Sequence, residues 1–213
     1  MFDRKFSDAD LQKFIDKCAS LPPIENLNLL NDYVESLLYS VLDFQMRGAT
    51  VRRAMTYFRQ HAKAQVADYA GLRKLFDAHP DTQAGNLEIA QYLFGYKLWT
   101  RVELLRRLLA YFEARDVTTQ AQLKAWAEKA DFVRDFKGQV KGAGFAIFQW
   151  LVQLQGVDTV VPDMWIHRFI QETLGFSVSD ETAVELLETA ALELGIKAYD
   201  LDWRIWAYQN PRG

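Results

Sequence analysis

With only one cysteine, Cys18, in 213 residues, the chain cannot form an internal disulfide, a four-cysteine zinc site or a four-cysteine iron–sulfur cluster. A reducing compartment, the cytoplasm, is the expected setting. Glycine and proline are scarce, at 11 and 5 residues, which argues against a fold of many short strands and tight turns. No stretch approaches the run of about eighteen apolar residues that a membrane span needs, and Met1 to Ser7 has no long apolar segment, so neither secretion nor membrane insertion is expected. Cations are not in excess either. The formal net charge of −3 weighs weakly against nucleic-acid binding, because phosphate contacts need cations.

What is present is half hydrophobic and rich in aromatics, enough to bury one substantial core or two small lobes. Apolar residues recur at helical spacing nearly throughout. The pattern predicts helices from Leu11 to Cys18, Tyr33 to Leu42, Val51 to Phe58, Leu72 to Phe76, Thr82 to Phe94 and Thr100 to Ala114. Further ones follow over Leu123 to Ala130, Asp131 to Phe136, Phe145 to Leu154, Met164 to Leu174, Glu181 to Leu194 and Leu201 to Tyr208. Ser7, Thr50, Thr82, Thr118-Thr119, Asp131 and Asp180 offer start signals, and Ala70-Gly71 and His79-Pro80 bracket the short helix from Leu72 to Phe76 as breaks. The fold class is all-α, with short connections and no internal repeat. Charge is unevenly spread. Arg47, Arg52, Arg53, Arg59 and Lys63 cluster early and suggest a basic face, while Asp180, Glu181, Glu185, Glu188, Glu193, Asp200 and Asp202 gather late.

Two short segments bear chemistry. In Val140-Lys-Gly-Ala-Gly144 the glycines allow a sharp turn, and the absence of side chains lets backbone N–H groups approach another molecule. The helix beginning at Phe145 adds its positive N-terminal end, so the turn suits an anion such as a DNA phosphate, with Lys141 adding charge. A Gly-x-Gly between helices is also an ordinary connection. Downstream, Pro162-Asp163 precedes an apolar helix, where an aspartate is a good N-cap whatever else it does. Cap and catalyst are compatible, since the helix end stabilises the carboxylate charge.

Together, Val140 to Phe148, a helix, a loop and Val161-Pro-Asp-Met-Trp-Ile-His-Arg168 resemble the signature of the helix-hairpin-helix DNA glycosylases, the endonuclease III and alkyladenine glycosylase superfamily. Upstream, Leu42 to Ala54 resembles the family segment whose glutamine enters the DNA stack, with Gln45 in that place, and Gly95-Tyr-Lys-Leu-Trp99 more loosely resembles a loop that wedges the duplex through Tyr96. The resemblance spans about residues 30 to 175. It implies a two-lobed helix-hairpin-helix fold with a central helical barrel. One lobe would take about 26–157, and the other about 1–25 with 158–213. The cleft between them would receive a nucleotide flipped from double-stranded DNA carrying a damaged base, because a stacked base hides its glycosidic bond.

On that resemblance Asp163 is the catalytic residue. Lys141, Gly142, Gly144, Gln45, Arg47 and Tyr96 would contact DNA, and Phe44, Trp165 and His167 are candidates for the pocket. Bifunctional members place a lysine where this chain has Ala146, so no Schiff base forms and the implied enzyme is monofunctional, with water as nucleophile. The cysteines that hold a cluster in many members are missing, and Trp203, Trp206 and Tyr208 are expected to replace it by packing. His61, His79 and His167 show no metal-ligand spacing, so no metal and no cofactor are expected, and the protein is expected to act as a monomer. Two rival readings stay open: a DNA-binding module that kept the hairpin without catalysis, and an all-helical interaction protein.

Overall fold

The computed structural model describes residues 6–24, 30–43 and 46–210. Among them every regular element is helical, and no strand occurs. The chain divides into two compact units, one of Leu30–Gln155 and one built from both ends, Met1–Leu29 with Gly156–Gly213.

The unit of both ends holds α1 (Asp8–Ala19), α9 (Met164–Leu174), α10 (Asp180–Leu194) and α11 (Ala198–Gln209). Helix α1 starts with a reciprocal capping box between Ser7 and Asp10. It buries Phe14 and Cys18 against α9 and α10, while α11 packs on α9 and α10. Phe14 meets Phe169 edge to face at 5.6 Å, and Phe169 meets Tyr208 at 5.9 Å. Trp203 and Trp206 contact each other at 5.6 Å on the same helix as Tyr208.

In the other unit α2 (Tyr33–Asp43) is buried from Tyr33 to Leu42 save for Tyr39, so it serves as the axis rather than as an amphipathic wall. Around it pack α3 (Gly48–His61), α4 (Tyr69–Asp77), α6 (Trp99–Glu113) and α8 (Phe145–Leu154). Helix α5 (Gln83–Phe94) lies against α3 and α6, and α7 (Gln120–Ala127) against α8. The expected helices are all found, with differences at their starts. Helix α3 begins at Gly48 with no side-chain cap, so Thr50 lies inside it. Asp68 caps α4, which therefore runs through Ala70-Gly71. A Cβ on Gly71 would come within 2.6 Å of the Gln65 carbonyl, so a close backbone approach, not a break, explains that glycine. Ser179 caps α10, and Asp180 is its first helical residue. Asp131 does cap a short element at Phe132–Phe136, but that element is a π-helical turn.

The early basic face needs the larger correction. Glu35 is buried on α2, and both Arg59, at 2.5 Å, and Lys63 pair with it, Lys63 also reaching Asp32 at 3.0 Å. Burial drives the Glu35 carboxyl upward, but hydrogen bonds and charge from Arg59 and Lys63 win and hold it below its ordinary value. Those two cations fasten α3 and its following turn to the axis and are not spare for phosphates. Arg47, Arg52 and Arg53 remain exposed.

Candidate functional site

The hairpin lies between the π-helical turn and α8. Val140 is buried, and the N–H of Ala143 donates to its carbonyl at 3.0 Å, closing a tight turn around exposed Lys141 and Gly142. Gly142 has φ +92°, a conformation that L side chains rarely adopt, so the turn itself requires glycine there. Gly144 differs. Its backbone is extended, at φ −102° and ψ −167°, and a Cβ built on it would meet nothing within 4 Å. Neither backbone conformation nor internal packing demands glycine at the residue that caps α8.

The first turn of α8 leaves the N–H groups of Phe145, Ala146 and Ile147 without intrahelical acceptors, and Gly144 offers no side-chain oxygen to cover them. Bare donors at a positive helix end form an anion site. The turn rests on a firm base. Phe132 contacts Phe145 at 5.0 Å and Phe148 at 5.6 Å, Phe136 contacts Phe148 at 5.5 Å, and Tyr111 reaches Phe136 at 5.2 Å. Arg107 on α6, paired with Glu103, donates Nη1 to the Lys141 carbonyl at 3.1 Å. Aromatic packing below and a charged donor at the side fix the N–H groups before any ligand arrives.

Asp163 belongs to the other unit. Its Oδ1 accepts the N–H of Trp165 at 2.8 Å and that of Ile166 at 3.0 Å, so it is the N-cap of α9. Oδ2 has no partner among the described residues. Burial raises the carboxyl above its ordinary value, outweighing the two backbone N–H groups and the nearby charge of His167, which pull it down. A helix N-terminus favours the ionised form, as expected for a cap, but desolvation is the larger effect here.

The loop before Asp163 is held by acids, two of them, Glu188 and Asp202, from the group that gathers late in the sequence. Buried Asp202 accepts the Val161 N–H at 3.0 Å, Thr159 donates to Glu188 at 2.7 Å, and the Tyr199 N–H reaches Asp158 at 3.3 Å. The Asp163 N–H then turns back to the Val161 carbonyl at 2.7 Å. Sequence reasoning missed these anchors because an acid that clamps a loop and one facing water look alike in a helical pattern. The available signal was a β-branched, non-periodic loop followed by buried helices bearing acids.

His167 lies one turn beyond Asp163, and its Nε2 meets Asp180 Oδ1 at 2.8 Å, tying α9 to the start of α10. Trp165 is half-buried and Met164 is 68% exposed. Tyr96 is exposed in the turn after α5, where a Cβ on Gly95 would press on Tyr57 at 2.9 Å. Arg47 is exposed at the start of α3. Phe44 and Gln45 lie outside the described residues. Among the described residues no group of three His, Cys, Asp or Glu is placed to hold a metal, and no helix is long and apolar enough to cross a membrane.

A family model described as "Domain of unknown function (DUF8548)" matches residues 12–210. No curated protein and no solved structure matches the chain.

Proposed function

This chain belongs to the DUF8548 family, and from that premise we propose, on the chemistry of the site, that it is a monofunctional DNA N-glycosylase that hydrolyses the bond between a flipped, damaged base and its sugar. The observation that supports this most strongly is the Asp163 carboxylate. One oxygen is fixed by two helix N–H groups, and the other is unpartnered at a group whose basicity is raised by burial. A cap alone explains the first oxygen and leaves the second over. In sequence it follows the glycine hairpin, whose N–H groups suit a phosphate and whose capping glycine the fold does not require.

In this reading the fold is the two-lobed glycosylase fold, the unit Leu30–Gln155 supplying the helical barrel and hairpin and the unit of both chain ends supplying Asp163. The hairpin grips the strand and Tyr96 supports the opened duplex. As the C1′–N bond breaks, its electron pair leaves with the base, and positive charge develops on the sugar. Ionised Asp163 stabilises that charge and takes a proton from the water that bonds to C1′. Ala146 provides no amine, so no covalent sugar intermediate forms and the product is an intact abasic strand.

The test is a panel of duplexes, each with one uracil, alkylated purine, oxidised purine or deaminated purine, followed by alkali. Cleavage that depends on alkali is expected for at least one lesion, with a loss of about a hundredfold or more in Asp163→Asn. Binding to an abasic-analogue duplex without release of any base would replace the enzyme with a damage-binding module. Activity that survives Asp163→Asn unchanged would remove this residue from the chemistry.

A further inference from the structure

Beside the hairpin, α6 and the turn before α8 wall an open groove of about 420 Å³, lined by Arg107, Arg115, Lys141, Gln139, Tyr111 and the small residues Ala110 and Ala114. Among the described residues no carboxylate lines it. We infer that this groove holds a further phosphodiester of the DNA strand gripped by the hairpin, lengthening the backbone track along α6; the inference rests on the DNA-binding reading given above.

The cations are unevenly spoken for. Arg107 is paired with Glu103 and bonds the Lys141 carbonyl, so it shapes the groove more than it charges it. Lys141 has no ion pair among the described residues. Arg115 lies 3.7 Å from the centroid of the Tyr111 ring and donates to the Tyr111 carbonyl at 3.0 Å, yet it forms no salt bridge among the described residues. Asp135, whose carboxyl the Arg115 charge helps to lower, is itself taken by Arg134 and by the Asp131 N–H. Two cations without a salt bridge among the described residues therefore line the groove in a chain whose net charge is −3. The ring stack and the carbonyl already hold the Arg115 guanidinium, so little side-chain entropy remains to be lost on meeting an anion.

The shape selects the kind of anion. A free phosphate or nucleotide favours an enclosed pocket that surrounds it, whereas this groove is open and begins at the hairpin's own lysine, which suits a chain of phosphates passing through. Guanidinium donors match phosphodiester oxygens, and the two alanines let the backbone come close to α6.

The test measures fluorescence anisotropy of an abasic-analogue duplex over a salt series, with thermal melting as the check on folding. Arg115→Gln is expected to weaken binding roughly three- to tenfold at low salt and to reduce the slope of log K against log salt by about one. Ala114→Glu removes nothing from the fold and puts a carboxylate on the groove wall, so it should weaken binding likewise and decides the matter if Arg115→Gln melts early. Lys74→Gln, an exposed change on α4, should leave the slope as it is. If wild type binds with a steep slope and both groove variants keep it, the groove is not part of the track while hairpin binding stands. If Lys74→Gln flattens the slope as much as Arg115→Gln, the effect is diffuse charge and the inference falls. Perturbation of Arg115 by inorganic phosphate with an unaltered duplex slope assigns the groove to a free anion and also overturns it. Wild-type protein that binds no duplex at low salt removes both the groove and the reading beneath it.

Discussion

One Asp163 oxygen caps α9 and the other has no hydrogen-bond partner among the described residues, and substitutions can separate cap from charge. Asn keeps a side-chain oxygen for the helix N–H groups while losing the charge; Ala loses both. Because burial raises the folded-state value above that of the unfolded chain, the stability linked to this proton is fully present below the ordinary aspartate value and is lost as pH rises through the raised one. Near neutrality the ionised carboxylate is thus a strain on the fold, and Asp163→Asn should melt at a temperature equal to wild type or roughly 2 °C higher, while Asp163→Ala loses about 1 kcal/mol with its cap. Calorimetry of the three proteins at neutral pH checks the order. If the proposed hydrolysis holds, the same raised value puts the acid limb of a kcat/KM profile above the ordinary aspartate range, since that reaction needs the deprotonated form. An acid limb at the ordinary position would assign the limiting base elsewhere. Glu35 has the opposite sign. Held low by Arg59 and Lys63, it contributes stability above the ordinary glutamate value that disappears as pH falls through its lowered one. Glu35→Gln should cost about 2 kcal/mol at neutral pH, and denaturant titrations should show the gap closing in acid.

At the scale of elements, the two hairpin glycines part company. Gly142→Ala forces a side chain into a left-handed backbone and should cost about 1 kcal/mol of stability along with DNA affinity. Gly144→Ala meets open space on an extended backbone, so melting should hardly change, while on the proposed function duplex affinity falls, the added methyl standing where that reading puts a phosphate. Equal loss of stability in both would mean that the turn alone explains both glycines. Such a difference was beyond the reach of the sequence, which shows two glycines and no φ. The helices were legible because apolar spacing records burial directly. Their starts were less so: Asp68 and Ser179 cap as their chemistry allows, but Ala70-Gly71 imitated a break, and only the Gln65 carbonyl beside Gly71 shows otherwise. Asp163 was readable as a cap from its neighbours. The loop clamps at Asp202 and Glu188 were not, because their partners lie far away in the chain.

At the scale of the molecule, net charge is a poor guide to what the surface offers. Arg59 and Lys63 are used internally, whereas Arg115 and Lys141 are available on a chain that is acidic as a whole. Division into a unit from mid-chain and a unit from both ends makes a separate prediction. Removing residues 1–24 strips α1 from α9 and α10, so amide exchange should quicken throughout α9, α10 and α11 while α2 to α8 keep their protection. Uniform loss of protection would show the two units to be one cooperative body.

That division also has a bearing on synthesis. Phe14 and Cys18 are made before the middle unit and their partners on α9 and α10 after it, so α1 must pass the synthesis of that whole unit with its apolar side unmatched. The middle unit has no such wait and is whole once Gln155 has emerged. A product cut short soon afterwards would keep the glycine turn and the arginine groove but have no Asp163; on the proposed function it would be a chain able to sit on a lesion and unable to clear it.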